Sequence, residues 1–195
     1  MVRIYVVDNG GQWTHREWRV LKYLGADTQI VPFDTPVTKL KEANVQGLVL
    51  SGGAPRVGLA DSLGNCGQYI DALDVPIMGI CAGHQFMARH FGGQAAPGGS
   101  EFGATKLELQ NGADKTSLFE GVPHESTVWE SHHDEVSQVP KDFEVLASSE
   151  RCKVQAMRHR SRPLFGVQFH PEVEHTEYGG TIFRNFVRVC QERPR

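Results

Sequence analysis

The sequence predicts an α/β fold: an open, mostly parallel sheet flanked by helices, with an additional antiparallel section. Three observations carry this. Through the first half of the chain, short apolar runs alternate with helical patterns, the signature of β-α-β units and of a sheet covered on both faces. Three of those runs end in residues suited to a site: Asp8-Asn9-Gly10-Gly11, Ser51-Gly52-Gly53 and Cys81. Ligands of such sheets bind beyond the carboxyl ends of the strands. From residue 102 onward the pattern changes to short strands linked by turns, which indicates antiparallel or mixed pairing.

The elements follow in order. Ile4-Tyr5-Val6-Val7 is a short buried strand stopped by Asp8 to Gly11, and residues 14–24 form a helix with Trp18, Leu21 and Leu24 at helical spacing, ended by Gly25. Residues 28–31 are a second strand, closed by Pro32, and 48–50 a third. A helix over 65–73 precedes a fourth strand at 75–80, and a helix over 82–91 follows it. In the second half, strands are expected at 102–109, 127–129, 143–147, 154–157 and 164–169. The last helix covers 178–192, with Ile182, Phe183, Phe186, Val187 and Cys190 on its buried face. No linker, repeat or low-complexity segment interrupts the chain, so residues 1–195 are expected to form a single domain.

Composition bounds the function. The chain is 39% hydrophobic and 22% charged, ordinary for a globular protein of 195 residues. Its formal charge is −3, and the one dense basic stretch, Arg158 to Arg162, is short and followed by Pro163; a solvated turn is expected there and nucleic acid is not expected as a partner. No apolar run approaches the ~20 residues of a membrane span, and no signal-peptide pattern is present. The four cysteines form no C-x-x-C pair, so reduced thiols in a cytoplasm are expected.

Chemistry concentrates at Gly79-Ile80-Cys81-Ala82-Gly83. This is the G-x-S-x-G elbow with cysteine for serine, between an apolar strand and a helix. Such a turn sets a thiol at a helix N-terminus, where the dipole and free amides favour thiolate. The amide of Ala82 is then placed to stabilise an oxyanion. Alone, the pentapeptide is equally compatible with a buried structural cysteine. A nucleophilic cysteine needs a base and a group to orient that base. Phe165-Gly166-Val167-Gln168-Phe169-His170-Pro171-Glu172 offers both: His170 at a strand end and Glu172 two residues on.

Taken together, Gly79 to Gln85, Gly166 to Glu172 and Ser51-Gly52-Gly53 resemble the class I (triad) glutamine amidotransferases, over essentially the whole chain and in the expected order. The resemblance implies a flavodoxin-like architecture and a set of roles. Cys81 attacks the side-chain amide of glutamine, His170 shuttles protons and Glu172 orients His170. The amides of Gly53 and Ala82 form the oxyanion hole, and Gln85 and the backbone near Ser131, His132 and His133 help shape the glutamine pocket. Trp129 to Val136, with its S-H-x-D-x-V element, Val7 to Gln12 and Glu101-Phe102-Gly103 resemble the branch that supplies ammonia for GMP formation. That branch implies a separate partner, the GMP synthetase ATP-pyrophosphatase subunit, because the S-G-G-V-D-S loop of that activity is missing: Ser51-Gly52-Gly53 continues as Ala54-Pro55-Arg56. ATP and Mg²⁺ are accordingly expected in the partner and no cofactor in this chain. Two departures from the family pattern stand out: Ala54 precedes Pro55 where Ser-Gly-Gly-Pro is usual, and Ala82 is small where relatives often carry a larger residue.

Other readings remain open at this point. Asp134 suits a partner interface or a turn cap. His132, His133, His170 and His175 match no closed Cys/His spacing, so no metal is expected. A glutaminase subunit of another synthase, such as anthranilate synthase, and a module that senses glutamine or docks a partner without turnover are the alternatives.

Overall fold

The computed structural model describes residues 1–54, 57 and 63–193. Pro55 and Arg56 lie outside the described residues. The described residues contain a sheet of nine strands in the order β2-β1-β3-β4-β9-β8-β7-β5-β6. The strands are β1 (Ile4–Asn9), β2 (Ile30–Pro32), β3 (Gly47–Gly53), β4 (Ile77–Ile80), β5 (Gln94–Leu109), β6 (Glu125–Gln138), β7 (Phe143–Ser148), β8 (Ala156–His159) and β9 (Leu164–Val167). The helices are α1 (Thr14–Tyr23), α2 (Val37–Glu42), α3 (Cys66–Ala72), α4 (Ala82–His90) and α5 (Gly179–Glu192).

Strands β2, β1, β3, β4 and β9 pair in parallel, and β9, β8, β7, β5 and β6 pair antiparallel. Alternation along the parallel strands divides the core. Ile4, Val6, Val49, Met78, Phe165 and Val167 point to one face and pack with Leu21 of α1 and Phe183 and Phe186 of α5. Tyr5, Val7, Leu48, Leu50 and Ile77 point to the other, where Leu40 of α2, Tyr69 and Ile70 of α3, and Met87 of α4 cover them. The apolar runs of the first half are therefore strands buried on both faces. Among the described residues no helix is long and apolar enough to cross a membrane.

Four elements differ most from the sequence expectation. Helix α2 is short and presents one buried apolar residue, Leu40, so its periodicity is too brief to stand out. Strand β2 includes Pro32 rather than stopping before it; β2 is an edge strand, where a missing N–H costs no ladder bond. Strands β5 and β6 are far longer than expected, pairing from Gln94↔Gln138 to Glu108↔Glu125, with the register shifting between Pro97 and Glu101. The Pro97-Gly98-Gly99 run has the composition of a loop but is carried as an irregularity within the long ribbon.

Candidate active site

The parallel pairing of β4 with β9 builds the site. Ile80 lies opposite Val167, and the Cys81 amide donates to the Val167 carbonyl at 2.9 Å. Residues far apart in the chain thus leave the sheet side by side at its carboxyl edge. Cys81 follows β4 directly, with φ 48° and ψ −102°, and precedes the first turn of α4. This positive φ in a non-glycine residue is strained. The flanking glycines permit the turn: a Cβ on Gly79 would come within 2.6 Å of the Gly83 backbone, and one on Gly83 would collide with the Leu50 carbonyl.

His170 lies 5% exposed just beyond β9. Its Nδ1–H donates to Glu172 Oε1 at 2.7 Å, which leaves Nε2 for the sulfur side. Strand β6 braces this turn. The His170 amide donates to the Trp129 carbonyl at 3.0 Å; Thr176 Oγ1 donates to the His170 carbonyl at 2.7 Å and accepts from the Trp129 amide at 3.0 Å. Burial opposes charge on His170, but the Glu172 carboxylate and the Cys81 sulfur outweigh it and hold the imidazole pKa well above its usual value.

A cleft of about 250 Å³ opens over Cys81 and His170, bordered by Gly10 to Trp13, Glu17, Gly52, Gly53, Ala54 and Ser131. That volume suits a small polar molecule. A larger cleft of about 710 Å³, bordered by Arg3, Gln46, Pro76 and Arg193, lies at the opposite ends of the strands, away from the cysteine elbow. The carboxyl end of β3 is fixed by Ser51, whose Oγ accepts from the Asn9 amide at 3.0 Å and donates to the Gly52 carbonyl at 2.8 Å. Gly53 borders the cleft, and Ala82 starts α4 directly after Cys81. A Cβ on Gly52 would come within 3.2 Å of the His170 ring, so glycine there lets the end of β3 approach the histidine.

The residues expected around the glutamine pocket separate. Ser131 borders the cleft. Its neighbours follow the two-residue alternation of β6: Glu130, His132 and Asp134 are buried, whereas His133 is exposed and its ring meets Phe102 at 4.9 Å. His132 and His133 therefore face opposite sides of the strand, and neither borders the cleft. Asp134, expected at a partner interface, is only 4% exposed. The pleat turns it inward, and its carbonyl accepts hydrogen bonds from Gln85 and His132.

Gln85 also lies behind the cleft rather than in it. Its amide nitrogen donates to the Asp134 carbonyl at 2.5 Å and to Gln168 Oε1 at 3.0 Å. A carbonyl can only accept, so this contact fixes the orientation of the Gln85 amide and, through it, that of Gln168. The Gln168 amide nitrogen is thereby aimed at Cys81 Sγ, 3.6 Å away. Gln168, Trp13 and Glu17 are the site residues that sequence reasoning missed. Gln168 lies within the Gly166 to Glu172 motif, where its residue type alone suggests no role. Trp13 meets the His170 ring edge-on at 4.4 Å. Glu17 sits on a helix face among apolar positions, and nothing local distinguishes it from a surface carboxylate. In the structure it is 1% exposed and borders the cleft; burial and then the nearby Glu172 carboxylate raise its pKa well above the usual carboxylate range. Replacing Gln168 with methionine, which keeps the volume and removes the N–H, is expected to lower turnover about ten-fold or more with a smaller change in KM. A hydrogen bond to a charged group is worth about 1.5–3 kcal/mol, and steady-state ammonia release checks the expectation.

His84, in the elbow segment, has a structural setting. It is fully buried, and its Nε2–H donates to the Val154 carbonyl at 3.1 Å; burial pushes its pKa down to about 3. The ring is neutral in the fold, whereas an unfolded histidine titrates near ~6.5. The stability this contributes is complete above that value and is lost as pH falls from there toward about 3. Between pH ~7 and ~5 the fold is expected to lose about 2 kcal/mol from this group. Urea unfolding across that range, compared with His84→Gln, isolates the contribution, because the variant lacks the titration.

The fold and site define an α/β protein with a cysteine elbow beside a His-Glu pair. The chain belongs to the class-I glutamine amidotransferase family, whose model matches residues 5–190. It is 53% identical over 192 residues to a subunit of glutamine-hydrolyzing GMP synthase from Thermoplasma acidophilum, covering 97% of this chain and 94% of that one. Identity to the subunit of the same name from Archaeoglobus fulgidus is 46%, covering 98% and 100%. A crystal structure of a GMP synthase subunit from Thermoplasma acidophilum superposes with TM-score 0.91 at 52% identity, covering 98% of this chain and 94% of that one. A glutamine amidotransferase of Thermotoga maritima shares the fold, with TM-score 0.76 at 15% identity and coverage of 98% and 99%.

Proposed function

We propose that this chain is the glutaminase subunit of a two-chain GMP synthetase, acting as one amidotransferase domain over residues 1–195. The observation that carries the hydrolytic part is the placement of Cys81, at a positive-φ elbow, beside His170 and its 2.7 Å contact to Glu172. In this reading the Cys81 thiolate attacks the γ-carboxamide carbon of glutamine. The oxygen becomes an oxyanion received by the amides of Gly53 and Ala82. The His170 imidazolium gives its proton to the departing nitrogen, ammonia leaves, and a γ-glutamyl thioester remains. Neutral His170 then takes a proton from water, whose oxygen attacks the thioester; glutamate leaves and the thiolate returns with the imidazolium. Glu172 keeps the imidazole in the right tautomer, and Ser131 and Trp13 border the substrate.

The GMP branch is supported by archaeal relatives named as glutamine-hydrolyzing GMP synthase subunits that align over 94% and 100% of their lengths. The proposed partner is an ATP-pyrophosphatase subunit that binds ATP and Mg²⁺ and receives ammonia to convert XMP to GMP; a cytoplasmic location suits both. Ammonia release from glutamine, measured with and without that partner, tests the hydrolytic part, and absence of turnover under both conditions overturns it. GMP formation from XMP, ATP and glutamine by the mixed subunits tests the branch; glutamine hydrolysis without GMP sinks that assignment alone.

A further inference from the structure

A second carboxyl group lies at the hydrolytic site and has no role in the chemistry proposed above. Glu17 sits one helical turn after Trp13, and its amide donates to the Trp13 carbonyl at 3.2 Å. Residues four apart share a helix face. Trp13 meets the His170 ring edge-on at 4.4 Å, so this face of α1 turns toward the histidine. Gly52 links the two as well: a Cβ there would come within 3.2 Å of the His170 ring, and its amide hydrogen-bonds the Glu17 carboxyl. Glu17 is 1% exposed and borders the cleft together with Cys81 and His170.

The site has one acid more than its cation serves. Glu172 Oε1 takes the His170 N–H, and Glu172 Oε2 is buried without a hydrogen-bond partner among the described residues. Glu17 Oε2 is also buried without one. The groups that act on Glu17 are Glu172 and His170 beyond β9, Asp8 in β1 and the Gly52 amide in β3; no lysine or arginine is among them. Asp8 is itself turned to the Gly10 amide and the Thr14 hydroxyl. Helix α5 and strand β2, which also pack on α1, contribute Phe183, Phe186 and Ile30 to the core they share. One imidazolium thus serves two buried carboxyls and a thiolate. A further unpaired charge is costly in that interior, so Glu17 keeps its proton at neutral pH.

We propose that Glu17 is an electrostatic positioning residue for His170: neutral at neutral pH, it becomes a carboxylate as pH rises and then holds His170 in its imidazolium form. This inference rests on the proposed roles of Cys81 and His170. Interacting acids in one site titrate as a pair rather than one by one. A proton that leaves Glu17 goes to solvent through the cleft and leaves a negative charge near the imidazolium. His170 is then harder to deprotonate. The acid that must protonate departing ammonia persists to higher pH than Glu172 alone would allow.

Glu17→Gln is neutral at every pH and nearly equal in volume, so it leaves the imidazolium without that support. The alkaline limb of glutamine hydrolysis is expected to move to lower pH by on the order of one unit, the coupling of two charges ~10 Å apart at an effective dielectric of ~20. The position of the limb is the readout, not its height. Glu17→Met, which also lacks the ionisable group, is expected to move the limb the same way. A role in packing alone would lower the melting temperature and leave the limb in place.

Nitrogen-15 spectra of the His170 ring in the labelled full chain read the same event without turnover. Loss of the imidazolium is expected at lower pH in both variants than in the wild-type chain. The Glu17 carboxyl carbon of the wild-type chain is expected to titrate above the ordinary carboxylate range and in step with His170; this measurement decides if neither variant folds. A His170 titration unchanged by both substitutions, or a Glu17 carboxyl that titrates like a free glutamate, overturns the proposal. Absence of glutamine turnover by the wild-type chain, with and without its partner, defeats the hydrolytic reading instead, and the His170 spectra still decide whether Glu17 holds the imidazolium.

Discussion

Replacing Cys81 with alanine is expected to lower glutamine hydrolysis by about 10⁴-fold or more while leaving the fold intact. Removal of a nucleophile eliminates the covalent route, and what remains is the oxyanion site and substrate binding. The expectation depends on the elbow. At φ 48° the side chain leaves the backbone between the end of β4 and the start of α4, where it faces the cleft rather than the core. Alanine preserves the backbone and the Gly79–Gly83 approach, so thermal unfolding should change little. Ammonia release and a melting curve on the same preparation check both halves. Retained turnover would remove Cys81 from the mechanism.

Glutamine at position 172 is expected to lower turnover about 10³- to 10⁴-fold, with a much smaller effect on KM, by analogy of role with the orienting acid of serine hydrolases. Glu172 is buried and meets His170 Nδ1 at 2.7 Å. An amide there can present its N–H to Nδ1 and stabilise the wrong tautomer. It also removes the main force that keeps His170 protonated against burial. The imidazolium that must protonate departing ammonia is then lost at lower pH, so the alkaline limb of activity should move downward. Stability carries the same sign. The His170–Glu172 contribution is complete below pH ~6.5 and is lost as pH rises through the raised His170 value; in the variant that dependence flattens. An unchanged turnover number disproves the orienting role.

Much of the proposed hydrolytic site was legible because its signals are local. Gly79 to Gly83 encodes the elbow through small residues that the close strand–helix approach requires. His170-Pro171-Glu172 places the proposed base and its orienting acid within a single turn. The pocket was less legible, because membership depends on which way each side chain faces. The segment from Trp129 to Val136 reads as one polar run, yet the pleat buries Glu130, His132 and Asp134 and turns His133 outward. Gln85 follows the elbow closely in sequence but directs its hydrogen bonds to Asp134 and Gln168. The length of β5 and β6 was hidden for a related reason: a two-stranded ribbon is stabilised by its partner, and Pro97 and the glycines beside it weaken every local strand signal.

The sequence by itself determined the class of fold, through apolar runs long enough for strands buried on both faces, and it singled out Cys81 as the candidate nucleophile and His170 as its candidate base, through two motifs that together match one family. Only the tertiary structure decided that these parts meet. β9 comes from the far end of the chain and inserts in parallel beside β4, and that non-local pairing sets His170 next to Cys81. That pairing also aimed Gln168 at the sulfur, and the β5–β6 pairing set Glu101 opposite His132. Neither arrangement has a local signature, because each is made by strands and loops whose neighbours are chosen by packing rather than by proximity in sequence.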